Sequence, residues 1–151
     1  MLSHVLLALA LVPFATLQSP SASATDIAIV SVAATDQMTD ISGRIWTPST
    51  PDFRAVVIRT RLTRGVGYEV KDFSLSYGPA SKTLTAICAG HTARIPSGWV
   101  INEKDGASWS FFPGGTGTLE GLGVLFVIPK DVTLATLHYK GKPVGTAFEI
   151  R

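Results

Sequence analysis

Short stretches of alternating apolar and polar side chains run through this sequence and constrain its fold more than any other feature. In the clearest stretch, over 53–62, one set of alternate positions is mainly apolar and the other ends in two arginines. The first set is Val56, Ile58, Thr60 and Leu62, and the second is Val57, Arg59 and Arg61. A side-chain period of two is what a strand with one buried face requires. The stretch therefore predicts a β-strand.

Similar runs recur at 27–33, 73–77, 84–89, 99–101, 109–112, 132–139 and 144–150. The unbroken apolar run over 122–128 predicts a strand that is buried on both faces. Gly and Pro fall between them, as at Gly78-Pro79 and Pro113-Gly114-Gly115, where they set the dihedrals of turns. No window after the N-terminal segment sustains helical spacing of apolar residues. Short strands at this spacing predict an all-β fold, and we expect an antiparallel β-sandwich. The least regular stretch, 34–52, is expected to hold one short strand within a long loop.

The N-terminal segment has the pattern of an export signal. Residues 1–24 contain no Asp, Glu, Lys or Arg, and an apolar run precedes a polar stretch and then Ala22-Ser23-Ala24. An apolar run followed by a small-x-small site is the order found in secretory signal peptides. The run is shorter than the ~20 apolar residues of a membrane span. We predict a cleaved signal peptide over 1–24, one domain over 25–151, a secreted or periplasmic location and no membrane span. The alternative is a buried N-terminal helix or strand.

Charge and cysteine content exclude several classes of protein. The 151 residues include 13 Lys and Arg against 11 Asp and Glu, so the formal net charge is +2. That surplus is too small to favour nucleic-acid binding. The single cysteine, Cys88, excludes an intramolecular disulfide and any multi-cysteine metal module. We expect a monomer, with a dimer linked through Cys88 as the alternative.

Cys88 and His91 form a C-x-x-H pair, at which a thiolate and an imidazole can share a metal ion or act as nucleophile and base. A zinc ion would need a further ligand from elsewhere in the fold, such as His138. A blue-copper site fails, because the only histidine before Cys88 is His4 and the only methionines are Met1 and Met38. A buried free thiol in a strand is the simpler interpretation of Cys88. We therefore expect no metal and no other cofactor.

Other catalytic patterns are missing from the sequence. There is no G-x-S-x-G elbow, and His91 and His138 are the only histidines after the N-terminal segment. The glycine-rich run over 114–121 lacks the Lys-Ser/Thr ending of a phosphate loop and precedes a strand, so it is predicted to be a turn. No pair of carboxylates is marked for glycoside cleavage. We expect the protein not to be an enzyme.

Two surface features are candidates for binding. Arg59 and Arg61 share one face of the strand predicted over 53–62, where they could meet phosphates or acidic sugars. Charges on the outward face of a strand also block edge-to-edge aggregation, which is the alternative explanation. Trp46 lies in the irregular stretch and is the aromatic residue that we expect to be most exposed. Trp46, Arg59 and Arg61 are therefore the predicted binding residues.

Three segments of the second half carry a family resemblance: 71–77 (KDFSLSY), 121–131 (GLGVLFVIPKD) and 136–144 (TLHYKGKPV). They resemble the telokin-like, immunoglobulin-like domains of bacterial secreted proteins, in which a D-F-x-L strand precedes a strand ending in V-P and then a terminal L-x-Y hairpin. The matching positions are Asp72, Phe73, Leu75, Phe126, Val127, Pro129, Leu137 and Tyr139. The chain departs from the family where Leu62-Thr63-Arg64 replaces the usual Asn and where no lipid-attachment Cys follows the N-terminal segment. The resemblance implies an immunoglobulin-like sandwich and no catalytic residues.

The sequence thus predicts a secreted, non-catalytic β-sandwich that binds a protein or another component of the cell envelope. One alternative is a metal- or thiol-dependent secreted protein that uses Cys88 with His91 or His138. Another is a structural domain with no specific ligand. A sandwich supports many unrelated functions, so the fold alone does not choose between them.

Overall fold

The computed structural model describes residues 19–40, 42–95, 98–103 and 110–151, and of residues 88, 91, 93–95 and 98–103 it describes the backbone alone. Within these ranges the chain is all-β, and its helices are two short 3-10 turns, Ala24–Asp26 and Val70–Asp72. The predicted all-β fold is therefore confirmed. The strands are β1 (Ile27–Thr35), β2 (Met38–Asp40), β3 (Ile45–Trp46), β4 (Phe53–Thr63), β5 (Tyr68–Glu69), β6 (Phe73–Tyr77), β7 (Lys82–Thr85), β8 (Cys88–Ile95), β9 (Gly98–Glu103), β10 (Ser110–Phe111), β11 (Thr118–Pro129), β12 (Leu134–Tyr139), β13 (Lys142–Pro143) and β14 (Phe148–Glu149).

The larger sheet has seven strands in the order β1-β4-β11-β8-β9-β2-β3. Its centre is the long antiparallel pair of β4 and β11, which runs from Phe53 opposite Pro129 to Thr63 opposite Thr118 with one register shift between Glu120 and Leu122. The pairing between β2 and β9 is parallel, and the other pairings in this sheet are antiparallel. The smaller sheet runs β13-β12-β6-β7, with β14 also paired to β12. Strands β5 and β10 form a separate antiparallel pair.

The main core lies between the two sheets and follows the alternation seen in the sequence. On β6 and β12, Leu75 and Leu137 pair in register and are fully buried. From the larger sheet, Ile58 and Phe126 join the same cluster. Strand β11 is buried at every position from Leu122 to Phe126, so the apolar run that predicted a strand buried on both faces is confirmed. The result is a two-layer β-sandwich whose sheets are antiparallel except at the β2–β9 pairing.

The larger sheet is curled rather than flat. Strands β1 and β2 lie near opposite ends of its order, yet only Asp36 and Gln37 connect them. That connection spans at most about 11 Å, whereas five strand spacings in a flat sheet amount to about 24 Å. Met38 of β2 accordingly packs with Ala55 and Val57 of β4 in a second buried cluster. The face of β4 that carries Arg59 and Arg61 is thus partly covered by the sheet's own far end.

The run over 84–89, predicted to be one strand, is divided between β7 of the smaller sheet and β8 of the larger sheet. Two further regions differ from what the sequence predicted. The irregular stretch over 34–52 contains the end of β1 and both strands of the β2–β3 hairpin, where one short strand was expected. Over 144–150 only Phe148 and Glu149 pair as a strand. Positive-φ turns at Gly145 and at Lys140-Gly141 interrupt the extended backbone around this segment. Local alternation did not reveal either departure, because both depend on pairing partners distant in sequence.

Most of the predicted signal segment lies outside the described residues, but 19–24 are included. Ala22 lies in the main core with 2% of its surface exposed. None of the helices in the described ranges has the length and hydropathy that would let it cross a membrane.

Candidate binding site

Two turns meet at one end of the sandwich and form a cleft. The first, between β6 and β7, closes with a hydrogen bond from the Ser81 amide to the Gly78 carbonyl oxygen at 3.0 Å. Gly78 and Ser81 both have positive φ, at 76° and 47°, which allows the tight reversal there. The second, between β11 and β12, closes with a 3.1 Å hydrogen bond from the Val132 amide to the Pro129 carbonyl oxygen.

The cleft between these turns has a volume of about 760 Å³, within the range typical of small-ligand sites. Its lining is mostly apolar, with one cationic and one anionic side chain. The residues are Tyr77, Gly78, Pro79, Ala80, Lys82, Pro129, Asp131, Val132, Thr133 and Leu134. Leu134, the first residue of β12, is 56% exposed, and Tyr77 beside it is half-buried. Lys82 and Asp131 are both exposed.

Arg54 on β4 holds the second turn in place. Its Nη2 donates to the Val132 carbonyl oxygen at 2.9 Å and to the Ile150 carbonyl oxygen at 3.4 Å. Two backbone bonds add to this clamp: the Lys130 amide donates to the Asp52 carbonyl oxygen and the Ile150 amide to that of Thr133, both at 2.8 Å. One wall of the cleft is therefore fixed before any ligand arrives, which lowers the entropic cost of binding.

Tyr77 and Thr133 bring hydroxyl groups to the lining, and the described lining residues include no histidine, cysteine or serine. Across the part of the chain that the structure describes, no group of three or more His, Cys, Asp or Glu side chains could hold a metal ion. The arrangement is chemically suited to contact an apolar group flanked by charge.

The structure places the three predicted binding residues along one face of β4. Ala55 and Val57 form the first half of this face and belong to a buried cluster with Met38 and Leu125. Trp46, from β3, packs against that cluster. Arg59 and Arg61 follow Val57 at alternate positions, so they continue the same face beyond the cover. Arg59 is half-buried, and Arg61 is exposed and forms an ion pair with Glu120 on β11.

Trp46 is positioned by the β2–β3 hairpin. Asp40 accepts hydrogen bonds from the Ser42 hydroxyl at 2.6 Å and from the amides of Ser42 and Arg44 at 2.9 Å, and these bonds lower the pKa of its carboxyl. The expectation that Trp46 is the most exposed aromatic residue is wrong. Trp46 is half-buried because the curled sheet provides a cluster for it, whereas Phe112 is 50% exposed and Phe53 37%.

His138 lies on the solvent face of the smaller sheet. Its neighbour Leu137 is buried between the sheets, so the His138 ring leaves β12 on the opposite side. There its Nε2 forms a 2.8 Å hydrogen bond with the Ser76 hydroxyl. Cys88 and His91 belong to β8 of the larger sheet, at register positions opposite Leu125 and Leu122. The side chains of Cys88 and His91 lie outside the described part of the structure.

The first half of the glycine-rich segment, 114–117, is a turn, as predicted, whereas 118–121 already belong to β11. Arg64 binds its main-chain oxygens: Nη1 donates to the Gly114 carbonyl at 3.0 Å and Nε to that of Thr118 at 3.2 Å. The Arg64 amide also donates to the Gly117 carbonyl oxygen at 2.9 Å. A cation bound by carbonyl oxygens is the reverse of a phosphate cradle, in which amides face an anion.

Sequence reasoning missed the cleft residues. The breaker pair Gly78-Pro79 predicted the first turn, and the second turn lies in the gap between the strands predicted over 122–128 and 132–139. Nothing in the pattern shows that turns some fifty positions apart meet at the same end of the sandwich. The one local signal was Leu134, an apolar residue directly after a polar turn.

Compared with known proteins, the chain matches no family model, no curated protein and no solved structure. The resemblance to telokin-like, immunoglobulin-like domains therefore stays an expectation from the sequence. Several positions of that resemblance, including Phe73, Phe126 and Tyr139, are fully buried in the main core.

Proposed function

We propose that this protein is a secreted, non-catalytic β-sandwich that binds another protein of the cell envelope through the cleft at the end of the sandwich. The observation that carries the proposal is the preformed cleft around Leu134, Tyr77 and the two turns. Its occupant is a short segment of the partner that inserts an apolar side chain.

The exposure of Leu134 supports a protein partner. A side chain that is 56% exposed beside the half-buried ring of Tyr77 gains hydrophobic stabilisation when a partner covers it. Lys82 and Asp131 add one charge of each sign to the lining. A segment with an apolar anchor flanked by charged residues complements this arrangement, whereas a purely apolar ligand would leave both charges unmatched.

The lining also supports binding rather than catalysis. A nucleophilic site needs a nucleophile, a base within hydrogen-bond reach and a group that orients the base. The residues around this cleft supply two hydroxyls and no imidazole. The Ser76–His138 pair lies on the solvent face of the smaller sheet, and among the described residues no third group is bonded to that imidazole.

The test is site-specific photocrosslinking in the cells that make the protein. A photoreactive phenylalanine analogue replaces Leu134 in one variant and Ile45 in a matched control. Ile45 is 63% exposed and lies on the β2–β3 hairpin, away from the cleft lining. We expect a discrete adduct with one envelope protein from position 134 and none from position 45.

A second variant tests whether the adduct reports binding in the cleft. Lys82→Glu leaves the apolar lining intact but reverses its cationic charge, and we expect it to weaken the crosslink at 134. An adduct of equal yield from positions 134 and 45, or no adduct from position 134, would overturn the proposal.

The face of β4 is a second candidate surface, favoured because Trp46, Arg59 and Arg61 share it. It would bind an anionic component of the envelope, such as an acidic sugar. Trp46→Ala and Arg61→Glu test it. If partner capture is unchanged in both variants, this face is discarded as the binding site.

A further inference from the structure

The segment Pro20–Ala22 is part of the folded domain. It forms a parallel bridge with the chain at Gly67 through two backbone hydrogen bonds. The Ala22 amide donates to the Gly67 carbonyl oxygen at 2.8 Å, and the Gly67 amide donates to the Pro20 carbonyl oxygen at 2.9 Å. The closest approach to a β-carbon built on Gly67 is the Pro20 carbonyl oxygen, at 3.9 Å. The segment Pro20–Ala22 and the segment around Gly67 therefore lie side by side, as neighbouring strands do.

Ala22 also fills a position in the main core. Its side chain belongs to the same cluster as Tyr68, Tyr139 and Val144, and only 2% of its surface is exposed. Lys140 Nζ donates to the Ala22 carbonyl oxygen at 3.1 Å. Removing Pro20–Ala22 would leave a void in the core, the two main-chain groups of Gly67 without these partners, and Lys140 without this acceptor.

The bond between Ala24 and Thr25 lies inside a structured turn. Ala24–Asp26 is a 3-10 turn whose start is capped by Ser23: the Ser23 amide donates to Asp26 Oδ2 at 2.8 Å, and the Asp26 amide donates to the Ser23 carbonyl oxygen at 3.0 Å. These two bonds satisfy main-chain groups at both ends of the turn. A chain that began at Thr25 would lack the cap.

We infer that Pro20–Ala24 stays in the mature domain as an integral N-terminal arm. A leader, where it is removed, is then cut on the N-terminal side of Pro20 and not after Ala24, the small-x-small position that the sequence favours. In such a cut, water adds across one peptide bond, so the leader gains a carboxylate and the domain a new amino group. Small residues at 21–24 are explained by packing: Ala22 fits the core beside Gly67, and Ser23 caps the turn.

The first test is N-terminal sequencing and intact-mass measurement of the protein recovered from its own secretory route. We expect the first residue to be Pro20 or an earlier one, so that the arm is retained. A chain that begins at Ser21 or later, above all at Thr25, overturns the inference.

A second test compares two substitutions in the exported protein. Ala22→Asp places a carboxylate in the core, whereas Ser21→Asp places the same group on an exposed neighbour in the same arm. If the arm is integral, Ala22→Asp lowers the urea midpoint of unfolding and Ser21→Asp leaves it nearly unchanged. Equal midpoints for the two variants would mean that the domain does not use the arm. Neither test depends on the cleft. A negative result in either test would therefore overturn the inference about the arm and leave the proposed function unchanged.

Discussion

The side chain of Thr92 on β8 occupies the space directly over Gly123 on β11. A β-carbon on Gly123 would overlap Thr92 Cγ2 and come within 3.0 Å of Thr92 Oγ1 and 3.1 Å of Val57 Cγ1. Thr92 itself is 7% exposed. Gly123 thus allows three neighbouring strands to bring their side chains together on one face of the curled sheet.

Gly123→Ala should lower the free energy of unfolding by about 1–3 kcal/mol, because the added methyl group has no space between Thr92 and Val57. Urea unfolding followed by circular dichroism measures the change. Gly114→Ala is the control, since a β-carbon there meets nothing within 4 Å and its φ is not positive. Adding Thr92→Ala should restore part of the loss. Equal stability of the Gly123 and Gly114 variants would contradict this account.

Arg54 and Arg61 lie on the same strand, and we expect them to contribute very differently to stability. Arg54→Met should cost about 1–3 kcal/mol, because half-buried Arg54 donates to the Val132 and Ile150 carbonyl oxygens. Arg61→Met should cost less than about 1 kcal/mol, because its ion pair with Glu120 is solvated on both sides. Denaturant titration measures the free energy of unfolding of both variants. A larger loss in the Arg61 variant than in the Arg54 variant would contradict the prediction that Arg54 contributes more to stability.

Stability should fall in alkaline solution. Burial, with a smaller contribution from the Asp26 carboxylate, raises the pKa of Tyr68 to about 12, and burial also raises the pKa of Tyr139. Unfolded tyrosines ionise near pH 10, so between the two pKa values the folded state keeps protons that the unfolded chain releases. The tyrosine contribution is present in full below about pH 10 and is lost as the pH rises towards 12. Urea midpoints measured across this range report the fall.

Tyr68→Phe provides the control for that pH dependence. The variant should lose about 1 kcal/mol at neutral pH, because the Tyr68 hydroxyl donates to the Thr63 carbonyl oxygen at 2.8 Å. It should also show a shallower alkaline decline than the natural chain. An unchanged pH profile would mean that Tyr68 does not carry the effect.

Cys88 should resist alkylation in the native protein and react after unfolding, as a buried free thiol does. Mass spectrometry after iodoacetamide treatment, with and without urea, measures this at the only cysteine in the chain. Rapid native modification, a bound metal or a covalent dimer would instead favour the thiol- or metal-dependent alternative with His91. His138 faces solvent from the other sheet and bonds to Ser76, so it is poorly placed to assist Cys88.

The sequence predicted those parts of the fold that depend on neighbouring residues. Alternation located β4, β6 and β12, and the unbroken apolar run located the buried part of β11. The alternation also predicted that Arg59 and Arg61 share one face of β4, and in the structure they do. The exposure of Trp46 was predicted wrongly, because the cover comes from Met38 and from strands far along the chain.

By itself the sequence determined that this chain forms short strands with one or two buried faces, since a period of two fixes which side chains share a face. Only the tertiary structure decided how the strands associate. It curled the larger sheet so that β2 covers β4, brought the turns at 78–81 and 130–133 together as a cleft, and placed Ala22 in the core. Each of these features depends on contacts between residues far apart in the chain. Local hydrophobic patterning does not predict such contacts, because the same faces of the strands would be buried in any order of strand pairing.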